Sequence, residues 1–217
     1  MKKIKGHAFH GLYAITDAQF KGEALAAQVE LAIQGGARVI QYRDKSDDIA
    51  QRLAESEAIL SVCQQHQVPL LINDDVELAA HIEAHGVHLG REDGTLQHAR
   101  ERLGDTAIIG VSCYNDLELA RQAQASGADY VAFGRFFASG SKPKAVQAEL
   151  ELLRQARLEL HCPLVAIGGI TPDNGSQLIQ AGADMLAAIR GVFAADDVTR
   201  AALSLQTLFE FDSEKNP

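Results

Sequence analysis

Two kinds of stretch alternate along the chain. Segments rich in Ala, Leu and Gln carry apolar residues at helical spacing, as in Leu25, Val29, Ala32 and Ile33, or Leu117, Ala120 and Ala123. Four times such a segment ends at glycine and gives way to a short β-prone apolar run: "AIQGGARVIQYR", "IEAHGVHLG", "AQASGADYVAFG" and "IQAGADMLAAI". Glycine is favoured just past a helix C-terminus, where the chain turns left-handed. An apolar run without polar alternation suits a strand buried on both faces. The repetition is architectural and does not extend to the residues themselves.

This rule predicts strands near residues 11–16, 38–43, 68–73, 86–89, 107–111, 129–134, 163–168 and 184–189. Eight strand–helix units in one α/β domain predict a (β/α)8 TIM barrel, with its chemistry at the strand C-terminal ends. An open doubly wound sheet is the competing architecture. It usually has fewer strands, and no dinucleotide-type glycine fingerprint follows the first strand here. The barrel is expected to take the whole chain, with residues 1–10 an N-terminal extension and 211–217 a disordered tail.

Composition narrows the function classes. A chain of 217 residues, 47% apolar, can bury one sizeable core, and nothing in its middle reads as a linker. The formal net charge is -9 and the 20 Lys and Arg are scattered, which argues against a nucleic-acid or anionic-membrane partner and leaves small molecules. Cys63, Cys113 and Cys162 are odd in number and widely separated, which fits a reducing cytoplasm better than a disulfide framework or a zinc site. The basic N-terminus lacks an apolar core of signal-peptide length, and no run of about 18 uncharged apolar residues follows. A cytoplasmic protein is expected; homo-oligomerisation is left open.

The strand ends collect a polar set: Thr16 and Asp17; Gln41, Arg43 and Lys45; Asn73 and Asp74; Asp93; Ser112; Ser139, Ser141 and Lys142; Gly168 and Gly169; Arg190. In a barrel these converge on one mouth. The stretch "VIQYRDK" puts Gln41, Arg43 and Lys45 on one face, and two cations with an amide suit a phosphate or diphosphate. A strand-end ion pair, Arg43 with Asp74, is the competing reading. Asp74 and Asp93 end consecutive strands, which lie about 5 Å apart, and carboxylates that close repel unless a proton or cation lies between them. Mg2+ is the natural cation, usually held by one or two carboxylates plus substrate phosphates. Against this, Asp74 or Asp75 suits the N-cap of the helix "VELAAHIEAH", with Asp93 a turn residue. "FGRFFASGSKPKA" and "VAIGGITPDN" supply backbone N–H groups for phosphate, the second as a paired-glycine strand end before a helix start at Thr171 and Pro172. His81 and His85, one helical turn apart, lack a third ligand nearby and read as a solvated face. Cys113 reads as a packing residue, and no nucleophile–base constellation is evident.

In order, "GLYAITD", "QYRDK", "LLINDD", "VHLGRED", "IIGVSC", "YVAFGRFFASGSK" and "AIGGITPDN" resemble the motifs of the thiamine-phosphate synthase family, over about Gly11 to Phe193. The resemblance implies a transferase of thiamine biosynthesis on a (β/α)8 barrel. It would join 4-amino-2-methyl-5-hydroxymethylpyrimidine diphosphate to a thiazole phosphate, with or without a carboxyl group, by a dissociative, Mg2+-assisted reaction releasing diphosphate. It places Gln41, Tyr42, Arg43, Asp44, Lys45, Asn73, Ser112 and Lys142 at the pyrimidine diphosphate, with Arg43, Lys45, Ser112 and Lys142 catalytic. It places Asp74 and Asp93 at the metal, and Ser139, Gly140, Ser141, Gly169, Ile189 and Arg190 at the thiazole phosphate. The chain departs from the commonest family pattern at Arg91, Tyr114, Ser139, Ser141 and Arg190. An aminothiazole tautomerase on the same barrel and a non-catalytic phosphate-ligand barrel are the rival readings; neither would need the carboxylate pair with the leaving-group residues.

Overall fold

The computed structural model describes residues 3–4, 7–91, 94–138 and 147–213. A short antiparallel pair, β1 (Lys3–Ile4) and β2 (His7–Ala8), precedes the barrel. All eight predicted strands form: β3 (Gly11–Ile15), β4 (Val39–Tyr42), β5 (Leu70–Asn73), β6 (Gly86–Leu89), β7 (Ile108–Tyr114), β8 (Tyr130–Gly134), β9 (Leu164–Ile167) and β10 (Met185–Ala188). They close in chain order, β10 pairing with β3, and every pairing in the barrel is parallel. The open-sheet alternative is thereby excluded.

Helices follow the strands in turn: α1 (Gly22–Gln34), α2 (Ile49–Gln65), α3 (Val76–His81), α4 (Leu96–Leu103), α5 (Leu117–Ala125), α6 (Leu150–Glu159) and α7 (Pro172–Gln180). After β10 come α8 (Arg190–Phe193), α9 (Val198–Gln206) and α10 (Leu208–Ser213). The last of these carries the backbone three residues into the segment expected as a tail, and residues 214–217 lie outside the described residues. No helix among the described residues is long and apolar enough to cross a membrane.

Strand alternation divides the apolar residues into two layers. Tyr13, Ile15, Val39, Leu71, Ile108, Tyr130, Ala132, Val165, Met185 and Ala187 pack together inside the barrel, joined by Phe9 from the extension. The Phe9 and Tyr130 rings lie 4.9 Å apart, so the segment before β3 plugs the N-terminal end. The intervening strand residues, among them Leu12, Ile40, Ile72, Phe133 and Leu186, belong to the larger layer between strands and helices. The strands are buried on both faces, which is why their sequences show no polar alternation.

Two "GAD" turns use one device to lock helix to strand. Asp129 accepts from Arg100 Nη2 at 2.7 Å and from the Ile109 N–H at 2.8 Å. Asp184 accepts from Arg157 Nη1 at 2.7 Å and from the Leu164 N–H at 2.8 Å. Each carboxylate satisfies a strand-edge donor and a guanidinium together, as a partly buried charge requires.

Gly110, on the inner face of β7, makes room for the Tyr130 ring: a Cβ there would lie 1.9 Å from Tyr130 Cζ. Gly110→Ala should therefore overpack the barrel floor by about 1–3 kcal/mol. A thermal melt should show a fall of roughly 2–12 °C in Tm for a domain of this size.

Candidate active site

A cavity of about 550 Å³ opens at the strand C-terminal ends. Of the residues predicted for the site, Gln41, Arg43, Lys45, Asn73, Asp74, Ser112, Gly169, Ile189 and Arg190 all line it, and so does Gly168. Asp93, Ser139, Gly140, Ser141 and Lys142 lie outside the described residues.

Two predicted residues are placed elsewhere. Alternation turns Tyr42 away from Gln41 and Arg43, into the layer under the helices, where its hydroxyl donates to Glu55 Oε2 at 2.8 Å. Burial, and then that carboxylate, hold the Tyr42 phenol well above its usual pKa. The Asp44 side chain pairs with Lys21 and accepts from the Ser46 N–H at 2.7 Å. Burial alone would push the Asp44 carboxyl up; Lys21 and Ser46 together hold it below the usual carboxylate range. Tyr42 and Asp44 thus brace the strand end and loop that present Arg43 and Lys45. Thr16 does similar work: buried, it accepts from the Arg43 N–H at 2.8 Å. Asp17 accepts from the Gln19 N–H at 3.2 Å in the turn beyond.

The two readings of "NDD" separate onto its two acids. Asp75 is the N-cap of α3, accepting from the Leu78 N–H at 2.8 Å, and it also receives Arg52 Nη2 at 2.6 Å. Asp74 takes a left-handed backbone with φ 65, which turns its carboxylate to the mouth. There it accepts from Asn73 Nδ2 at 2.6 Å and pairs with Lys45. The ion pair anticipated for Arg43 therefore goes to Lys45, and among the described residues Arg43 and Arg190 form no ion pair. Beyond Arg190, Asp197 caps α9, accepting from the Arg200 N–H at 2.9 Å.

β7 carries a register shift between Ser112 and Tyr114, and Tyr114 has φ 55. Cys113 is buried outward, while Ser112 and Tyr114, two residues apart, both line the cavity. Burial pushes the Cys113 thiol up to about 12, in keeping with a packing role. Two of the departures from the family pattern meet: the Arg91 guanidinium stands 5.0 Å over the Tyr114 ring, and the Arg91 N–H donates to the Tyr114 hydroxyl at 3.3 Å. The metal-chelating alternative for His81 and His85 fails because α3 ends at His81, while His85 Nδ1 accepts from the Leu70 N–H at 3.1 Å.

Glycine at 168 and 169 serves chain crossing. A Cβ would fall 2.3 Å from Arg135 Cβ at the first and 2.4 Å from the Ala138 carbonyl oxygen at the second. The Phe136 and Phe137 N–H groups reach the Ile167 and Gly168 carbonyls at 3.1 and 3.0 Å. The Thr171 N–H, expected to be available at the mouth, is taken by Asn174 Oδ1 at 2.9 Å in the capping box of α7.

The sequence reading did not single out Tyr13, His88 or Arg135, all of which line the cavity. Tyr13 and His88 lie on the barrel floor. Gln41 Nε2 donates to the Tyr13 hydroxyl at 2.7 Å, Tyr13 and Tyr130 hydroxyls are 2.8 Å apart, and His88 links Tyr130 and Ser112 at 2.8 Å on each side. Alternation from Gln41 inward along neighbouring strands was the signal that could have found them.

The fold and cavity define the class: a (β/α)8-barrel enzyme. The profile described as thiamine monophosphate synthase matches residues 12–192. The chain is 52% identical to the thiamine-phosphate synthase of Nitrosococcus oceani, covering 93% of this chain and 94% of that one. It is 50% identical to that of Methylococcus capsulatus, covering 95% and 92%. The solved thiamine phosphate pyrophosphorylase of Pyrococcus furiosus superposes with a TM-score of 0.85 at 33% identity, covering 94% of this chain and 97% of its own. The chain belongs to the thiamine monophosphate synthase family.

The separation of roles at Asp74 and Asp75 is testable by melting. Asp75→Ala, losing the cap and the Arg52 contact, should cost about 1–2 kcal/mol. Asp74→Asn, which tolerates the left-handed backbone, should leave Tm nearly unchanged, since its partner Lys45 is exposed and the pair is worth little to stability.

Proposed function

We propose that this chain is a thiamine-phosphate synthase: it joins 4-amino-2-methyl-5-hydroxymethylpyrimidine diphosphate to a thiazole phosphate and releases diphosphate. The observation that carries this is the convergence of Gln41, Arg43, Lys45, Asn73, Asp74 and Ser112 with Gly169, Ile189 and Arg190 on one cavity, in a chain half identical to proteins of that name.

The methylene C–O bond breaks with its electron pair leaving on diphosphate, and the lone pair of the thiazole nitrogen forms the new C–N bond. That nitrogen carries no proton, so no general base is required, and the Ser112–His88 hydrogen bond has no proton to abstract from it. The residues have two tasks. Arg43 and Lys45, with Lys142 from outside the described residues, stabilise the charge that grows on the leaving group. Gly169, Ile189 and Arg190 hold the second phosphate so that the thiazole nitrogen faces the methylene. The apolar cavity wall, with Val165, Ile167 and Ala187, keeps water from the cation.

The residues fit Mg2+. Asp74 is a hard oxygen donor already facing a cation, since the Lys45 ammonium occupies its carboxylate. With Asp93 and the diphosphate oxygens it makes the donor set Mg2+ favours. When bound, Mg2+ would neutralise charge on the leaving diphosphate. Lys45 would then exchange Asp74 for a diphosphate oxygen.

Incubation of both substrates with Mg2+ should yield thiamine phosphate and diphosphate in equal amounts; absence of both products would overturn the proposal. Chelation with EDTA should abolish turnover, and added Mg2+ should restore it. Asp74→Asn should lower kcat by roughly 100-fold. Arg190→Ser should raise the KM for thiazole phosphate about tenfold, the loss of one charge-assisted hydrogen bond of about 1.5 kcal/mol, and leave the KM for the pyrimidine diphosphate nearly unchanged.

A further inference from the structure

The floor of the cavity is a continuous hydrogen-bonded chain that the proposed chemistry does not use. It runs from Gln41 on β4 through Tyr13 on β3, Tyr130 on β8 and His88 on β6 to Ser112 on β7. We propose that this chain runs in one direction, holds His88 as the neutral Nε2–H tautomer, and so turns the Ser112 hydroxyl proton toward the ligand. His88 and Tyr130 are thus positioning residues acting through Ser112.

The direction follows from the donor at one end. Gln41 Nε2 lies 2.7 Å from the Tyr13 hydroxyl, and an amide nitrogen can only donate. Tyr13 accepts there, so its own proton goes to its other partner, the Tyr130 hydroxyl at 2.8 Å. Tyr130 in turn gives its proton to His88 Nδ1 at 2.8 Å. With Nδ1 accepting, the ring proton sits on Nε2 and is donated to Ser112 Oγ at 2.8 Å. Ser112 Oγ has no other hydrogen-bond partner among the described residues, and the residue lines the cavity. Its proton is what remains to offer.

An imidazolium at position 88 would break this order. Both ring nitrogens would donate, the Tyr130 proton would be pushed back onto Tyr13, and the Tyr13 proton would meet the Gln41 amide hydrogens. Both phenols are buried, and burial raises both above their usual pKa, Tyr130 with a further contribution from Tyr13. They remain donors wherever the protein is folded at ordinary pH. The chain is not a proton wire, because it ends on an amide that neither supplies nor stores a proton. Its function is orientation. A hydroxyl that could rotate freely would present a lone pair or a proton to the ligand; here it presents a proton, which suits an acceptor atom of the pyrimidine diphosphate. Only the identity of that acceptor rests on the synthase reading.

The tautomer can be read without substrate. In the 15N-labelled wild-type chain, long-range 1H–15N imidazole spectra near neutral pH should show His88 protonated on Nε2 and bare on Nδ1. A ring protonated on Nδ1, or on both nitrogens, would overturn the inference whatever the enzyme makes. The action through Ser112 is read by a double-mutant cycle. Tyr130→Phe should raise the KM for the pyrimidine diphosphate roughly 3- to 10-fold while sparing the KM for thiazole phosphate, a loss in the range of one hydrogen bond. In a Ser112→Ala background the same substitution should add little. Additive effects, or equal rises in both KM values, would assign Tyr130 to structure alone. A chain that makes no thiamine phosphate would overturn the synthase reading and leave the tautomer result standing.

Discussion

Closing short strands into a parallel barrel imposes one constraint from which the rest follows: each strand has only every second residue to give to the interior. The first inward position goes to packing, as with Val39, Leu71, Ile108, Val165 and Met185. The next positions toward the C-terminal end are all that remain for chemistry, and β4 and β5 spend them on Gln41, Arg43 and Asn73. Packing and site are therefore successive layers of the same strands. Tyr13 and Tyr130 belong to both layers, with rings in the apolar cluster and hydroxyls in the polar chain above it.

That constraint explains how much of the molecule was legible in the sequence. The strands could be found because burial on both faces makes them short unbroken apolar runs, and glycine marks several of the places where a helix gives way to the next strand, as after α1, α5 and α7. Gln41 and Arg43 were legible because two polar residues on one face of an otherwise apolar run stand out, even with a strand-end ion pair as the competing reading for Arg43. Tyr42 and Asp44, which came with the contiguous motif, have side chains off the cavity wall because the chain sends neighbouring residues to opposite faces. Tyr13 and His88 escaped for a different reason: each sits singly in an apolar run, and their connection exists only across the barrel, between residues up to 117 positions apart. The division of labour between Asp74 and Asp75 was also hidden, since it depends on a left-handed φ at Asp74 that local sequence does not announce.

The electrostatics of the cavity run opposite to those of the chain. The protein carries a net charge of -9, yet the cavity is lined by Arg43, Lys45, Arg135 and Arg190 against the single carboxylate of Asp74 among the described residues. On the outer helices, carboxylates pair with arginine, as Glu118 and Glu159 do with Arg121. Such exposed pairs contribute little to stability, but they keep arginine on the surface occupied and leave the mouth as the place where positive charge accumulates. Two anionic substrates are drawn to one end of the barrel by that arrangement.

Within that cationic mouth, Asp74 is the exception that sets the order of events. Its carboxylate pairs with Lys45. On the proposed function, arriving diphosphate would compete for the Lys45 ammonium, and an arriving divalent cation would compete for the Asp74 carboxylate and free Lys45 for phosphate, so each arrival would make the other more favourable. Diphosphate and divalent cation should thus bind cooperatively, with Lys45 carrying the coupling between them. On the same reading, diphosphate would depart together with its cation, because the Lys45–Asp74 pair re-forms once both have left.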